Sequence, residues 1–197
     1  MKLSDDYEFE DDAGRLWYEQ LVQHVLDHAP KCIGEFQVRL TLPADSIWEN
    51  RTEWELVCSC GSKTGQILGY SLGDLAQDYD GPLTFVTPLG FSCSSCNRLT
   101  EIIDTELHGY DGECKARFDG SGAATYRGTG ERKVFACEKC GGGQFSAKAH
   151  FQYSHFDIIE DEPELAPVAQ DFFDFFECTG VCSGCGQEQS IGGYELA

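Results

Sequence analysis

Apolar and polar residues alternate through Gln144 to Phe156: Phe145, Ala147, Ala149, Phe151 and Tyr153 are separated by Ser146, Lys148, His150, Gln152 and Ser154. A two-residue period predicts a strand with one face buried. Strand-like runs also cover Glu35 to Leu42, Thr52 to Val57, Leu83 to Phe91, Arg98 to Leu107 and Arg132 to Ala136. One long stretch has the helical period instead. Asp12 can cap a helix running to about His28, with Leu16, Trp17, Leu21, Val25 and Leu26 on one face, and Ala29-Pro30 stops it. A short helix fits Leu72 to Gln77, whereas Val168 to Phe176 fits a helix or a strand; its Phe172, Phe173, Phe175 and Phe176 are expected in the core. The pattern predicts a mainly β chain with an N-terminal helix.

Cysteine changes this picture most. Of 11 cysteines, eight fall into four close pairs: Cys58 with Cys60, Cys93 with Cys96, Cys137 with Cys140, and Cys182 with Cys185. Pairs at this spacing, recurring after an insert, are what tetrahedral zinc sites use, each turn supplying two thiolates. The residue after each pair is Gly61, Asn97, Gly141 or Gly186. These are the residue types that tolerate positive φ, as a turn folding its N–H groups toward the sulfurs requires. A thioredoxin-like dithiol would open a helix, but Asn97 to Ile103 reads as a strand. Cys58-Ser59-Cys60 has one residue between its cysteines where the ordinary turn has two, so it is either a tighter zinc turn or a degenerate site. Cys32, Cys114 and Cys178 are left over; Cys114 and Cys178 read as spare ligands, nucleophiles or, most commonly for such residues, small buried hydrophobes.

The two halves repeat. Leu56 to Gly61 matches Phe135 to Gly141, Gly65-Gln66 aligns with Gly143-Gln144, and Tyr70-Ser71 with Tyr153-Ser154. Phe91 to Asn97 answers Val181 to Gly186, after which Ile102 and Glu106-Leu107 fall on Ile191 and Glu195-Leu196 at one offset. The expected organisation is a packing element over 1–50, a first zinc-ribbon repeat over 51–116 and a second over 131–197, with a Gly-rich linker near 119–124. The repeat assigns Cys58, Cys60, Cys93 and Cys96 to one Zn²⁺ and Cys137, Cys140, Cys182 and Cys185 to another; the long inserts leave crossed pairing open.

With Cys93 to Cys96, His108-Gly109-Tyr110-Asp111, Cys137 to Gly142 with Phe145, and Asp171 to Phe176 ahead of Cys182 to Cys185, residues 54–197 resemble functionally uncharacterised bacterial proteins with a duplicated Cys-x-x-Cys zinc ribbon. The resemblance implies the ribbon fold and zinc, and no activity. Cys58-Ser59-Cys60 departs from the pattern.

The chain has 197 residues and carries a formal charge of −20, from 34 Asp and Glu against 14 Lys and Arg. Such a surface repels a phosphate backbone, so direct nucleic-acid binding is not expected. No apolar run is long enough for a membrane span and no signal peptide is evident, which predicts a cytoplasmic protein with reduced thiols. The acids concentrate in two stretches: eight precede residue 31, against Lys2 and Arg15, and no Lys or Arg follows Lys148. Four-thiolate sites are closed, so zinc there is structural, and no nucleophile, phosphate-loop or metallohydrolase motif is present. His108, with Asp104, Glu106, Asp111 and Glu113 nearby, is the strongest catalytic candidate and reads as a hydrogen-bonded turn residue. His150 and His155, five apart in a strand, would face opposite ways. The functional expectation is a non-enzymatic acidic protein that binds a basic protein partner, such as an immunity protein or inhibitor of a toxin. The alternatives are an accessory ribbon of a nucleic-acid machine and an enzyme.

Overall fold

The computed structural model describes residues 12–41, 50–76, 78–110, 112–113, 127–154 and 156–196. Asp5 to Asp11, the linker near 119–124, Asp111, Cys114 and His155 lie outside these residues. Helix α1 spans Asp12–Asp27, close to its expected limits. Its buried face is Tyr18, Leu21, Val22 and Val25, while Leu16 is exposed. The difference has a tertiary cause: Tyr18 packs edge-on to Phe156 at 5.7 Å between ring centres and donates its hydroxyl to Asn50 at 2.8 Å. Those contacts rotate the helix away from the face that Leu16 suggested.

Among the described residues nine strands follow, all in one sheet: β1 Gln37–Leu40, β2 Arg51–Val57, β3 Thr64–Ser71, β4 Phe85–Cys93, β5 Leu99–Ile103, β6 Lys133–Val134, β7 Phe145–Gln152, β8 Phe175–Cys182 and β9 Glu188–Glu195. Helix α2 is Leu72–Leu75, α3 is Phe156–Asp161, and a kinked 3₁₀ segment covers Pro163–Asp171. Strand β7 alternates as expected, with Phe145, Ala147, Ala149 and Phe151 buried. The ambiguous stretch divides: the 3₁₀ segment ends at Asp171, and β8 starts at Phe175. Phe172, Phe173 and Phe176 are core, and Phe175 is half-buried. Strands β3, β8 and β9 were not in the expected set. Each contains glycines, among them Gly65, Gly69, Gly180, Gly192 and Gly193, which break the apolar pattern.

The two repeats are woven together. Strand β2 of the first pairs with β7 of the second, β6 of the second pairs with β3 of the first, and β3 meets β7 through Thr64–Ser146 and Gly65–Phe145. Strand pairs β3/β4 and β7/β8 hold Gly65 opposite Cys93 and Phe145 opposite Cys182. Gly65 is therefore equivalent to Phe145, and the expected match with Gly143 is corrected by two residues. Counted along the strand from Gly65, Tyr70 falls on His150 and not on Tyr153, with a register shift in β3/β4 between Leu68 and Tyr70 that β7/β8 lacks. Later equivalences hold: β4/β5 bulges between Leu89 and Gly90, and β8/β9 between Cys178 and Thr179, the same place in each repeat. Ile102 and Ile191 are both fully buried. The match stops there. Strand β5 ends at Ile103, so Glu106 and exposed Leu107 lie in a turn, whereas Glu195 closes β9 and Leu196 is buried.

Candidate metal centres

Each cysteine pair sits on a turn between strands. In all four, the residue after the second cysteine takes positive φ: 89° at Gly61, 56° at Asn97, 72° at Gly141 and 71° at Gly186. That residue donates its N–H back to the first cysteine's carbonyl, at 2.7 Å for Gly61 to Cys58, 2.9 Å for Asn97 to Cys93, 2.7 Å for Gly141 to Cys137 and 2.8 Å for Gly186 to Cys182. The first cysteine's own N–H donates to the carbonyl one residue further on, in Ser62, Arg98, Gly142 and Gln187. The short Cys58-Ser59-Cys60 turn closes by the same two bonds as its longer counterparts.

The turns at the start of β3 and between β4 and β5 bring Cys58, Cys60, Cys93 and Cys96 together; the equivalent turns of the second repeat gather Cys137, Cys140, Cys182 and Cys185. Within each group all sulfurs lie within 4.8 Å of one another. The closest pairs are Cys58–Cys96 at 3.6 Å, Cys60–Cys93 at 3.5 Å, Cys137–Cys185 at 3.6 Å and Cys140–Cys182 at 3.6 Å. Four thiolates at about 2.3 Å from a central ion stand about 3.8 Å apart in a tetrahedron. Each group thus fits a metal ion with four sulfur ligands, paired within repeats and not across them.

The electrostatics of the groups fit a cation as well. Burial opposes ionisation of Cys93, but backbone N–H groups of Cys96 and Ser95 and the thiols of Cys60 and Cys58 bring its pKa down to about 6. Cys182 comes down to about 7 against burial, through Gly184, Cys185, Cys140 and Cys137. Their neighbours behave oppositely. Cys96 is pushed up to about 12 although the Arg98 N–H favours its thiolate, and Cys140 also to about 12 although the Gly142 N–H does, because the surrounding sulfurs resist further negative charge. A divalent ion removes that resistance.

The remaining candidates fall elsewhere. Cys32 and Cys178 are buried, and burial raises both thiols, Cys178 to about 12, as expected of inert core residues. His108 lies in the turn after β5, where its Nδ1 accepts the Asp104 N–H at 3.0 Å and its own N–H donates to the Asp104 carbonyl at 3.0 Å. The Asp104 carboxylate is gripped by Arg127 through Nε at 3.1 Å and Nη2 at 2.7 Å. Burial lowers the His108 pKa against the pull of Asp104, Asp171 and Glu113. His150 bonds Thr179 at 2.9 Å and approaches Glu53 at 3.4 Å.

Two features escaped the sequence reading. Buried Glu53 accepts from Lys148 at 2.8 Å, and buried Asp171 accepts the Lys31 N–H at 2.7 Å and its ammonium at 2.9 Å. An acid inside an apolar strand, as Glu53 is in Thr52 to Val57, was the available signal. In addition, Gly109 at φ 78° packs against Phe173, and the Tyr110 N–H donates to the Phe173 carbonyl at 2.8 Å. The His108-Gly109-Tyr110 and Phe172-Phe173 motifs are thus docked on each other. No helix among the described residues is long and apolar enough to cross a membrane. Comparison with known protein families, curated proteins and solved structures finds no match to this chain.

Proposed function

We propose that each sulfur cluster holds a structural Zn²⁺, that the chain is a duplicated zinc ribbon, and that it works in the cytoplasm by binding a basic protein partner rather than by catalysis. A toxin neutralised by its immunity protein is the natural setting. Zinc suits an all-thiolate tetrahedron, and four protein ligands leave no position for a reacting water. His108 and Asp104 are each committed to bonds within their own turn or with Arg127, which gives them no free pair of acid and base.

The observation that carries the binding reading is acidic charge at the end of α3 with no ion-pair partner among the described residues. Glu160, Asp161 and Glu164 are exposed beside half-buried Glu162. A hydrogen bond with Glu164 and repulsion from it, together with Asp161, raise the Glu162 pKa. Holding like charges this close costs stability and creates a strong local negative potential, which steers a cationic partner.

Elemental analysis of the purified chain tests the metal half: two zinc ions per chain are expected, and one after Cys182→Ser. No zinc would sink it. Association with the partner isolated from native cells tests the other half. Its rate should fall steeply as salt rises, and replacing Glu160, Asp161, Glu162 and Glu164 by Ser should mimic high salt without changing zinc content. A rate indifferent to both changes, or turnover of a substrate abolished by His108→Ala, would remove the reading.

A further inference from the structure

Among the described residues strand β9 pairs with β8 alone, so its other edge has no strand partner there. Toward its C-terminal end that edge is covered: the Tyr194 hydroxyl donates to the Phe85 carbonyl at 2.6 Å, and Gly192 lies so close to the same carbonyl that a Cβ there would stand 2.3 Å away. Toward Glu188 it is not covered. A groove of about 560 Å³ separates the start of β9 from the segment Pro82 to Thr84, with Glu138 and Lys139 of the third cysteine turn as its end wall. The size suits a few residues of a ligand.

The opposite wall is already committed. The Leu83 N–H donates to Glu138 at 3.2 Å, and the Thr84 carbonyl accepts the Leu72 N–H at 2.8 Å. On the β9 side no strand pairs with the outer edge among the described residues, and the Glu188 carbonyl there accepts the Gln187 side-chain Nε2 at 2.9 Å. The groove is also net negative, with Glu138 and Glu188 against Lys139. Gln189 lines it: its Nε2 donates to Glu138 at 3.4 Å, and its side-chain oxygen is buried with no hydrogen-bond partner among the described residues. The first repeat differs: at the places of the Glu138-Lys139 turn, Gln187 and Glu188 it carries Ser59, Arg98 and Leu99, with Arg98 donating to the Ser59 hydroxyl at 2.9 Å, while Glu101, at the place of Ser190, accepts from Arg132 at 2.7 Å.

We propose that this groove receives an extended basic segment of a protein partner, added as a strand to the open edge of β9 at Glu188 to Ser190, with a cationic side chain between Glu138 and Glu188. The added strand supplies N–H and C=O groups to an edge with no backbone partner, its N–H replacing the exposed Gln187 side chain at the Glu188 carbonyl, and the carboxylates select Lys or Arg. This rests on the reading of the protein as a binder of basic partners, and gives that binding a location apart from the α3 acids. Because the end wall belongs to the second sulfur cluster, the groove keeps its shape only with that cluster intact.

The probe is the blocked pentapeptide Arg-Val-Arg-Val-Arg, with Glu-Val-Glu-Val-Glu as control, added to the zinc-loaded full chain and followed by calorimetry and backbone amide NMR. The basic peptide should bind, with shifts concentrated at residues 82–84 and 187–190, and the acidic one should not. Glu188→Lys, at an exposed position, should weaken binding about tenfold. Shifts confined to the α3 acids would overturn the groove and leave the acidic-surface reading standing. Absence of binding would overturn the groove, and equal binding of the acidic peptide would overturn the charge selection.

Discussion

Gly65 and Phe145 hold equivalent places in the two repeats and also face each other as antiparallel partners, so the pseudo-two-fold axis of the sheet passes between them. The repeats solve packing near this axis in opposite order. In the first, glycine at 65 lies against Phe91; in the second, Phe145 lies against glycine at 180, and both rings are fully buried. A Cβ on Gly65 would stand 2.5 Å from both the Phe91 ring and the Ser92 carbonyl oxygen.

Gly65→Ala should therefore cost about 2–3 kcal/mol, the scale of overpacking in a rigid core. Gly180→Ala should cost less, because its nearest neighbour is the flexible end of Ile191 at 2.9 Å and the Phe145 ring is at 3.2 Å. Urea unfolding of the zinc-loaded variants measures both. A Gly180 variant less stable than the Gly65 variant would contradict this packing.

The cysteine turns isolate a backbone effect. A Cβ added to Gly61, Gly141 or Gly186 meets nothing within 4 Å, so only the positive φ penalises alanine there. Gly141→Ala should cost about 1 kcal/mol, which weakens metal affinity at the second cluster about fivefold. Asn97→Gly should be neutral or tighten the first. Competition with a chromophoric chelator reads both, and a loss of affinity in Asn97→Gly would mean that its side chain does more than tolerate the turn.

Acid should destabilise the protein in two stages. Burial holds His108 and His150 below their ordinary 6.5, so the unfolded chain takes up protons first as pH falls. Their contribution is complete above about pH 6.5 and is lost on the way down to their native values. Burial opposes the charged forms of Glu53 and Asp104, yet Lys148 with Thr41 and Arg127 hold them below 4.5 and 3.8 respectively. Their contribution is full above those values and disappears as pH falls through the native ones. Stability measured against pH should show a plateau above 6.5, a first decline below it and a steeper one below 4.5. His108→Gln, which can still accept the Asp104 N–H, should flatten the first decline; an unchanged slope would rule His108 out as its source.

The cysteine turns, the positive φ that follows each, the limits of α1 and the alternation of β7 were all legible in the sequence, because each depends on residues within a few positions of one another. The duplication favoured pairing within repeats but left crossed pairing open, and the sheet that gathers each set of four sulfurs decided it. Tertiary structure decided the rest. The match of Gly65 with Gly143 rested on residue identity, but Gly65 is a strand residue that leaves space for Phe91, while Gly143 lies before β7 against Val134. Glycines hid β3, β8 and β9 because what fills their space comes from other strands: Phe85 and Leu89 over Gly69, Ile191 and Phe145 over Gly180, and the Phe85 carbonyl against Gly192. The exchange of β2 and β6 between repeats, the burial of Tyr18 in place of Leu16, and the groove beside β9 share that origin. Each is fixed by contacts between segments far apart in the chain, which no local periodicity records.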